Sequence, residues 1–386
     1  MHLRLAAPIM FAAASLGMAS AATAAPDAAT TIAAPHTHEN LAIFLVRGRS
    51  IEGAAPATLE EALAKGSVVV HETGNVRELK IENTGNEPVF IQFGDLVKGG
   101  QQDRVLTTSL LIPPRSGRIA IGAYCVEQGR WNSRGTEDVT KFSASNAQLF
   151  SRKAKVAIAR APVAGAESRP AAPAERGTWR NSLSAEPLIN QVRPGVQLPA
   201  PDSQRIIQER RPRSPSGQGE VWDSVAVAQH QLAARLAAPM ASEQSKTSLQ
   251  LTIENERLKK AQETFVTTLE PKALTDDTVI GVVIAINGKV ASADIYPSNG
   301  LFKKMWPKLV RAAATEALAN PLSEASKAPE IAEVEAFLAA AERSEANTRA
   351  LANIAQHETR ESADVLKVEA RTAEGRWIHR NYLAAK

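Results

Sequence analysis

Thr278-Val279-Ile280-Gly281-Val282-Val283-Ile284-Ala285-Ile286-Asn287-Gly288-Lys289-Val290-Ala291-Ser292-Ala293-Asp294-Ile295-Tyr296 reads as two strands joined by a two-residue turn. Asn-Gly tolerates the positive backbone angles of a type I′ turn, whose twist matches that of the strands it joins. An amphipathic helix follows. Phe302, Met305, Trp306, Leu309, Val310 and Ala313 fall on one face, opposite Lys303, Lys304, Lys308 and Arg311. Pro307 is expected to bend this helix or to open a new first turn. A hairpin followed by a helix predicts an α+β fold.

Upstream, Leu41–Val46 reads as a buried strand, and Thr58-Leu59-Glu60-Glu61 as a capping box opening a helix over Leu59–Lys65. Strand patterns recur at Ser67–Glu72, Glu78–Glu82, Pro88–Phe93, Asp103–Leu111 and Arg118–Val126. Residues 41–160 are therefore expected to form a β-rich half, an antiparallel sheet or sandwich. Residues 218–386 form a half of helices and hairpins that packs against it. There, helical spacing appears at Trp222–Leu236, Leu258–Leu269 and Pro329–Ala352, and strands at Asp364–Arg371 and Arg376–Tyr382. Between the halves, Ala161–Gly217 holds nine of the 22 prolines, eight Arg, no Lys and five acids. Such a segment is expected to be a disordered insertion. Residues 25–40, small and polar, are expected to be flexible.

The net charge is +4 over 386 residues. Arg4 and the insertion account for all of it, so the remainder lacks the basic excess a nucleic-acid partner requires. Cys125 is the single cysteine. It alternates with Ile119 and Ile121, which places it on a buried face without a disulfide partner.

Several strings resemble a known family. They are Gly94-Asp95-Leu96-Val97-Lys98-Gly99-Gly100-Gln101-Gln102-Asp103-Arg104, Pro113–Arg118 leading to Cys125-Val126-Glu127-Gln128-Gly129-Arg130-Trp131, and Gly219-Glu220-Val221-Trp222-Asp223, followed by Ala285–Gly288 through Ser292–Tyr296 to Trp306-Pro307-Lys308. In this order they resemble the ARG and rhodanese-phosphatase-superfamily-associated protein family, whose shared domain has no assigned reaction. The resemblance implies no catalytic residues, and the Pro- and Arg-rich insertion departs from the family's more compact middle.

The residues themselves offer one charged loop region. Lys98, Arg104 and Arg130 could hold an anion, and Trp131 could stack on a ring. Asp95, Asp103 and Glu127 could supply a carboxylate pair for acid–base chemistry. His36 and His38 have metal-ligand chemistry, but their spacing, with Glu39 and His71-Glu72, matches neither HExxH nor a zinc ribbon, so no metal site is expected. No Walker loop, Rossmann fingerprint or G-x-S-x-G occurs, and no cofactor is expected. On the second-half hairpins, Lys289, Asp294, Tyr296, Glu369, Arg371 and His379 are expected to form a solvated face, with Glu369 and Arg371 on the same side. The leading expectation is an exported binding or interaction module for a small anionic or sugar-like ligand, or for an envelope protein. The rivals are a hydrolase using two of Asp95, Asp103 and Glu127, and a structural envelope protein.

Residues 1–24 carry the pattern of a signal peptide: Arg4, an apolar run to Met18 and Ala22-Thr23-Ala24. The run is short of the ~20 residues a membrane span needs, and no transmembrane segment is expected after cleavage. The expected location is periplasmic or secreted. Intact-mass measurement on the envelope fraction should find a chain beginning at Ala25; a full-length cytoplasmic product would defeat this reading.

Overall fold

The computed structural model describes residues 30–130, 134, 138–161, 217–322, 327–351 and 353–386. The expected signal peptide, most of the expected insertion and Trp131 lie outside the described residues. In chain order the elements are β1 (Thr31–Ile32), β2 (His36–His38), β3 (Leu41–Arg47), β4 (Ala57–Thr58), α1 (Leu59–Ala64), β5 (Val68–Glu72), β6 (Glu78–Asn83), β7 (Val89–Ile91), β8 (Asp95–Gly99), β9 (Arg104–Leu106), β10 (Leu110–Ile112), β11 (Arg118–Cys125) and β12 (Phe142–Gln148). They continue as α2 (Arg152–Arg160), α3 (Gln218–Leu236), α4 (Leu249–Ile253), α5 (Glu256–Leu274), β13 (Val279–Ile286), β14 (Lys289–Ile295), α6 (Asn299–Ala319), α7 (Ile331–Glu342), β15 (Ala346–Leu351), β16 (Ala355–Glu361), β17 (Val365–Thr372) and β18 (Trp377–Ala384).

The α+β expectation holds. Three sheets form: a nine-stranded one in the order β1-β3-β13-β14-β18-β17-β16-β15 with β2 also on β3, a six-stranded one in the order β12-β8-β9-β11-β6-β5, and a small β10-β7-β4 sheet. The hairpin forms as read, with Asn287 and Gly288 both at positive φ. The α1 capping box forms as well: the Thr58 hydroxyl accepts from the Glu61 amide, and the Glu61 carboxylate accepts from the Thr58 amide.

The two halves are not separate layers. β3, from the first half, pairs with β13 along its whole length, so the large sheet is built from both ends of the chain. This accounts for the unbroken apolar run of β13. Val282 and Ile284 face a core shared with α3, α5 and α6, while Ile280, Val283 and Ala285 face a second core beneath α7. A strand covered on both faces has no need to alternate. α6 runs through Pro307 without interruption, burying Phe302, Met305, Trp306, Leu309 and Val310.

Three expectations change. Within the segment expected to be flexible, Thr31–Ile32 and His36–His38 are strand: β1 and β2 lie antiparallel along the edge of β3 and pair with its backbone groups. The helix expected over Pro329–Ala352 ends at Glu342, because Ala346–Leu351 pairs with β16. The Gly94-Asp95 turn opens β8, which pairs with β9 and β12, a strand carrying little hydrophobic pattern.

Gly281 marks a close backbone approach beside an irregularity in the β13 pairing. A Cβ there would sit 2.6 Å from the Asp294 carbonyl oxygen. Gly281→Ala should therefore destabilise the fold by about 1–3 kcal/mol, as overpacking does. Urea unfolding would show a lowered midpoint, and an unchanged one would contradict the close approach.

Candidate functional site

The residues expected to form one loop site divide between two buried networks and a cleft. The first network holds Asp103 and Glu127. Asp103 is 1% exposed and Glu127 0%. Asp103 accepts from the Gly99 amide at 3.0 Å, from Arg134 at 2.9 Å and from the Ser248 hydroxyl at 3.1 Å. Glu127 accepts from Arg130 Nε at 2.5 Å and lies 3.7 Å from Arg134. Arg130 also reaches Asp103 at 3.5 Å. Arg104 is fully buried, donates to the Gln102 carbonyl and side chain and lies 3.8 Å from Glu72.

The sequence thus brought the right charges together, but for one another. Removing one partner from such a buried ion pair would leave an uncompensated buried charge. Cys125 packs beside them, and burial pushes its thiol up to about 11, so it remains a protonated, inert thiol at neutral pH.

Asp95 stands apart from that pair. Its carboxylate accepts from Lys308 Nζ and from the Gln92 amide, both at 2.9 Å. Gln92 links it to a second network centred on Asp294. One oxygen of Asp294 accepts from His379 Nε2 at 3.0 Å, Asn381 at 2.9 Å and Gln92 Nε2 at 3.2 Å. Tyr296 donates to the Gln92 side-chain oxygen Oε1 at 2.6 Å, and its ring stacks on His379 with centroids 5.0 Å apart. Ser109 Oγ lies 2.8 Å from His379 Nδ1. An ionised carboxylate only accepts, so His379 donates to Asp294 through Nε2, and its Nδ1 shares a second hydrogen bond with the Ser109 hydroxyl.

Ser109, His379 and Asp294 are the residue types of a nucleophilic triad, with the roles of the two ring nitrogens exchanged. Ser109 is 2% exposed and also accepts from the Phe93 amide at 2.8 Å. A nucleophile needs an approach for its substrate, and this hydroxyl is enclosed. Asp294, Tyr296 and His379 are accordingly core residues, contrary to the expectation of a solvated face. Glu369 is buried too, paired with Lys367, Arg371 and Arg380. It does share a side with Arg371, as alternation predicts. Nothing in the local pattern at Ser109 or Gln92 signalled a partner on β14 or β18.

The third feature is open. A cleft of about 670 Å³ lies between β12, the α4–α5 segment and α6. Asn146, Gln148, Gln262 and Thr315 supply amides and a hydroxyl to its lining. Glu254, Glu256 and Glu263 are balanced there by Lys259, Lys260 and Arg311. Lys98 is paired with Glu254 of this cleft at 2.8 Å. Burial opposes ionisation of Glu254, but Lys98 and Gln250 outweigh it and hold the carboxyl below its usual range. Gln148 is 1% exposed. Its amide nitrogen donates to the Phe93 carbonyl at 2.9 Å, while its carbonyl oxygen has no hydrogen-bond partner among the described residues.

His36 and His38 lie on β2, and the His38 ring meets Phe265 edge-on at 4.6 Å. Among the described residues no group of three His, Cys, Asp or Glu could hold a metal ion. No helix among them is long and apolar enough to cross a membrane.

Fold and site together define an α+β protein with a polar cleft beside a densely hydrogen-bonded interior. The chain belongs to the ARG and Rhodanese-Phosphatase-superfamily-associated Protein family, whose domain model matches residues 29–383. No curated protein and no solved structure matches it.

Burial opposes ionisation of Asp294, but the hydrogen bond and charge of His379, with Lys155 and Asn381, hold its carboxyl below the usual range. A carboxyl with a lower pKa folded than unfolded stabilises the fold above its unfolded value, near 4, and loses that contribution as pH falls through the folded value. Asp294→Asn should flatten the stability profile below about pH 4. It should also cost about 1–3 kcal/mol at neutral pH through weakened donors. Chemical denaturation across pH would measure both, and an unchanged acid limb would show that Asp294 is not held ionised.

Proposed function

We propose that this is an exported binding protein whose cleft beside Gln148 takes a small, neutral, polyhydroxylated ligand of the sugar class. The observation that carries the reading is the Gln148 carbonyl oxygen, a buried acceptor without a donor at the cleft wall. A buried acceptor left unsatisfied costs free energy, and a ligand hydroxyl would supply the missing donor. Asn146 adds an amide that both donates and accepts, while the Thr315 hydroxyl is engaged by the Gln262 amide and the Arg311 carbonyl. Three acids against three bases leave the cleft without the net positive charge that an anion would need. The size suits a small molecule. Export rests on the signal-peptide pattern of residues 1–24.

The carboxylate-pair hydrolase has less support, since Asp103 and Glu127 are enclosed with their arginines and Asp95 with Lys308. The experiment is a calorimetric screen of neutral mono- and disaccharides, their acidic counterparts and free amino acids. A neutral sugar should bind, and Gln148→Leu should weaken it roughly two- to tenfold, as loss of a neutral hydrogen bond does. Binding of the acidic compounds alone, or equal binding by the Leu variant, would overturn this assignment.

A further inference from the structure

Another cavity lies at the free end of the large sheet. It has a volume of about 260 Å³ and is enclosed by the end of α2, β15, β16 and Leu366 of β17. Arg349 and His357 stand directly opposite each other in the β15–β16 register, with Asn347 and Thr359 the next pair on the same face. His357 is 3% exposed, and its Nε2 has no hydrogen-bond partner among the described residues. The charge of Arg349 acts on the His357 ring. From α2, Arg160 reaches in, donating through Nε and Nη2 to one oxygen of Glu361 at 2.9 and 2.7 Å. The charged groups lining the cavity are thus Arg349, Arg160 and Glu361, an excess of one positive charge, with His357 as the titratable group between them.

We propose that this cavity is a binding site for a small oxyanion of the sulfate or phosphate type, held by Arg349, Arg160 and the His357 ring. Donors from three elements converge on the cavity, which suits an anion presenting three oxygens. Glu361, tied to Arg160, is the single opposing charge in the lining.

The site carries a linkage. Without an anion, burial and the neighbouring Arg349 push the His357 pKa down to about 4. An oxyanion offsets the field of Arg349 and gives the protonated ring an acceptor, so the bound site favours His357 in its charged form. The His357 pKa is then higher bound than free. Binding takes up a proton and tightens as pH falls through the bound value, levelling off below about 4.

Sulfate is the first probe, because it keeps its charge over the working pH range. Calorimetry on the full chain at pH 7.5 and 5.5, with His357 followed by ring NMR, should show tighter binding at the lower pH and a raised His357 pKa. Arg349→Ala, at an exposed position that leaves the core intact, should weaken sulfate by about ten- to a hundredfold, the loss of a charged hydrogen bond. His357→Gln should lose the pH dependence and bind sulfate at pH 5.5 more weakly than the unmodified chain does. Inorganic phosphate and glycerol phosphate locate the source: equal affinities identify a site for the free ion, and tighter glycerol phosphate identifies a phosphate monoester. The proposal fails if none of the three anions moves the His357 resonance, or if Arg349→Ala binds sulfate as the unmodified chain does.

Discussion

The Asp294 carboxylate is the interaction on which the arrangement of the sheets depends. It sits on β14 near the middle of the nine-stranded sheet and collects His379 and Asn381 from the adjacent β18. Through Gln92 and Ser109 it reaches the small sheet, since Gln92 follows β7 and Ser109 precedes β10. Through the Gln92 amide it reaches Asp95 at the start of β8, and from there Lys308 on α6. Three sheets and a helix therefore share one hydrogen-bonded node. Apolar packing is non-directional and tolerates sliding, whereas a satisfied buried polar network admits one register.

A second node, around Asp103 and Glu127, fixes how the β8–β9 loop meets the β11 end and α4. The arginines that pair with Asp103, Arg130 and Arg134, come from sequence positions well after it, and Ser248 closes the node from the second half. Such pairs contribute little net stability over an apolar equivalent, but breaking one is costly. Their position beneath loops accounts for why so many charges are gathered where a turn alone would suffice. It also separates them from the open features. The Gln148 cleft and the Arg349–His357 cavity lie elsewhere, each bounded by α-helix on one side and strand on the other.

Much of this was legible locally. The β13–β14 hairpin, the α1 cap, the α6 face, the burial of Cys125 and the kinship of Glu369 with Arg371 follow from turn chemistry, hydroxyl capping and side-chain periodicity. These operate over a few residues, so neighbouring sequence suffices to read them. Family membership was likewise legible, because it resides in ordered strings. β12 and β15 escaped notice because their strand character comes from pairing: Phe142–Gln148 alternates little, and Ala346–Leu351 borders an Ala-rich helix.

The sequence by itself determined the α+β class, the elements with strong periodicity, and a charged region between Gly94 and Arg130. The tertiary structure decided which charges meet. Asp95 and Asp103 lie eight positions apart on the chain, yet one pairs with Lys308 and the other with Arg134. His379 and Ser109 are hydrogen-bonded across 270 positions. A charged side chain carries no local mark of whether it will be solvated or buried with a counterion. That outcome is set by the partner which the fold delivers, and the energy at stake depends on the water it excludes.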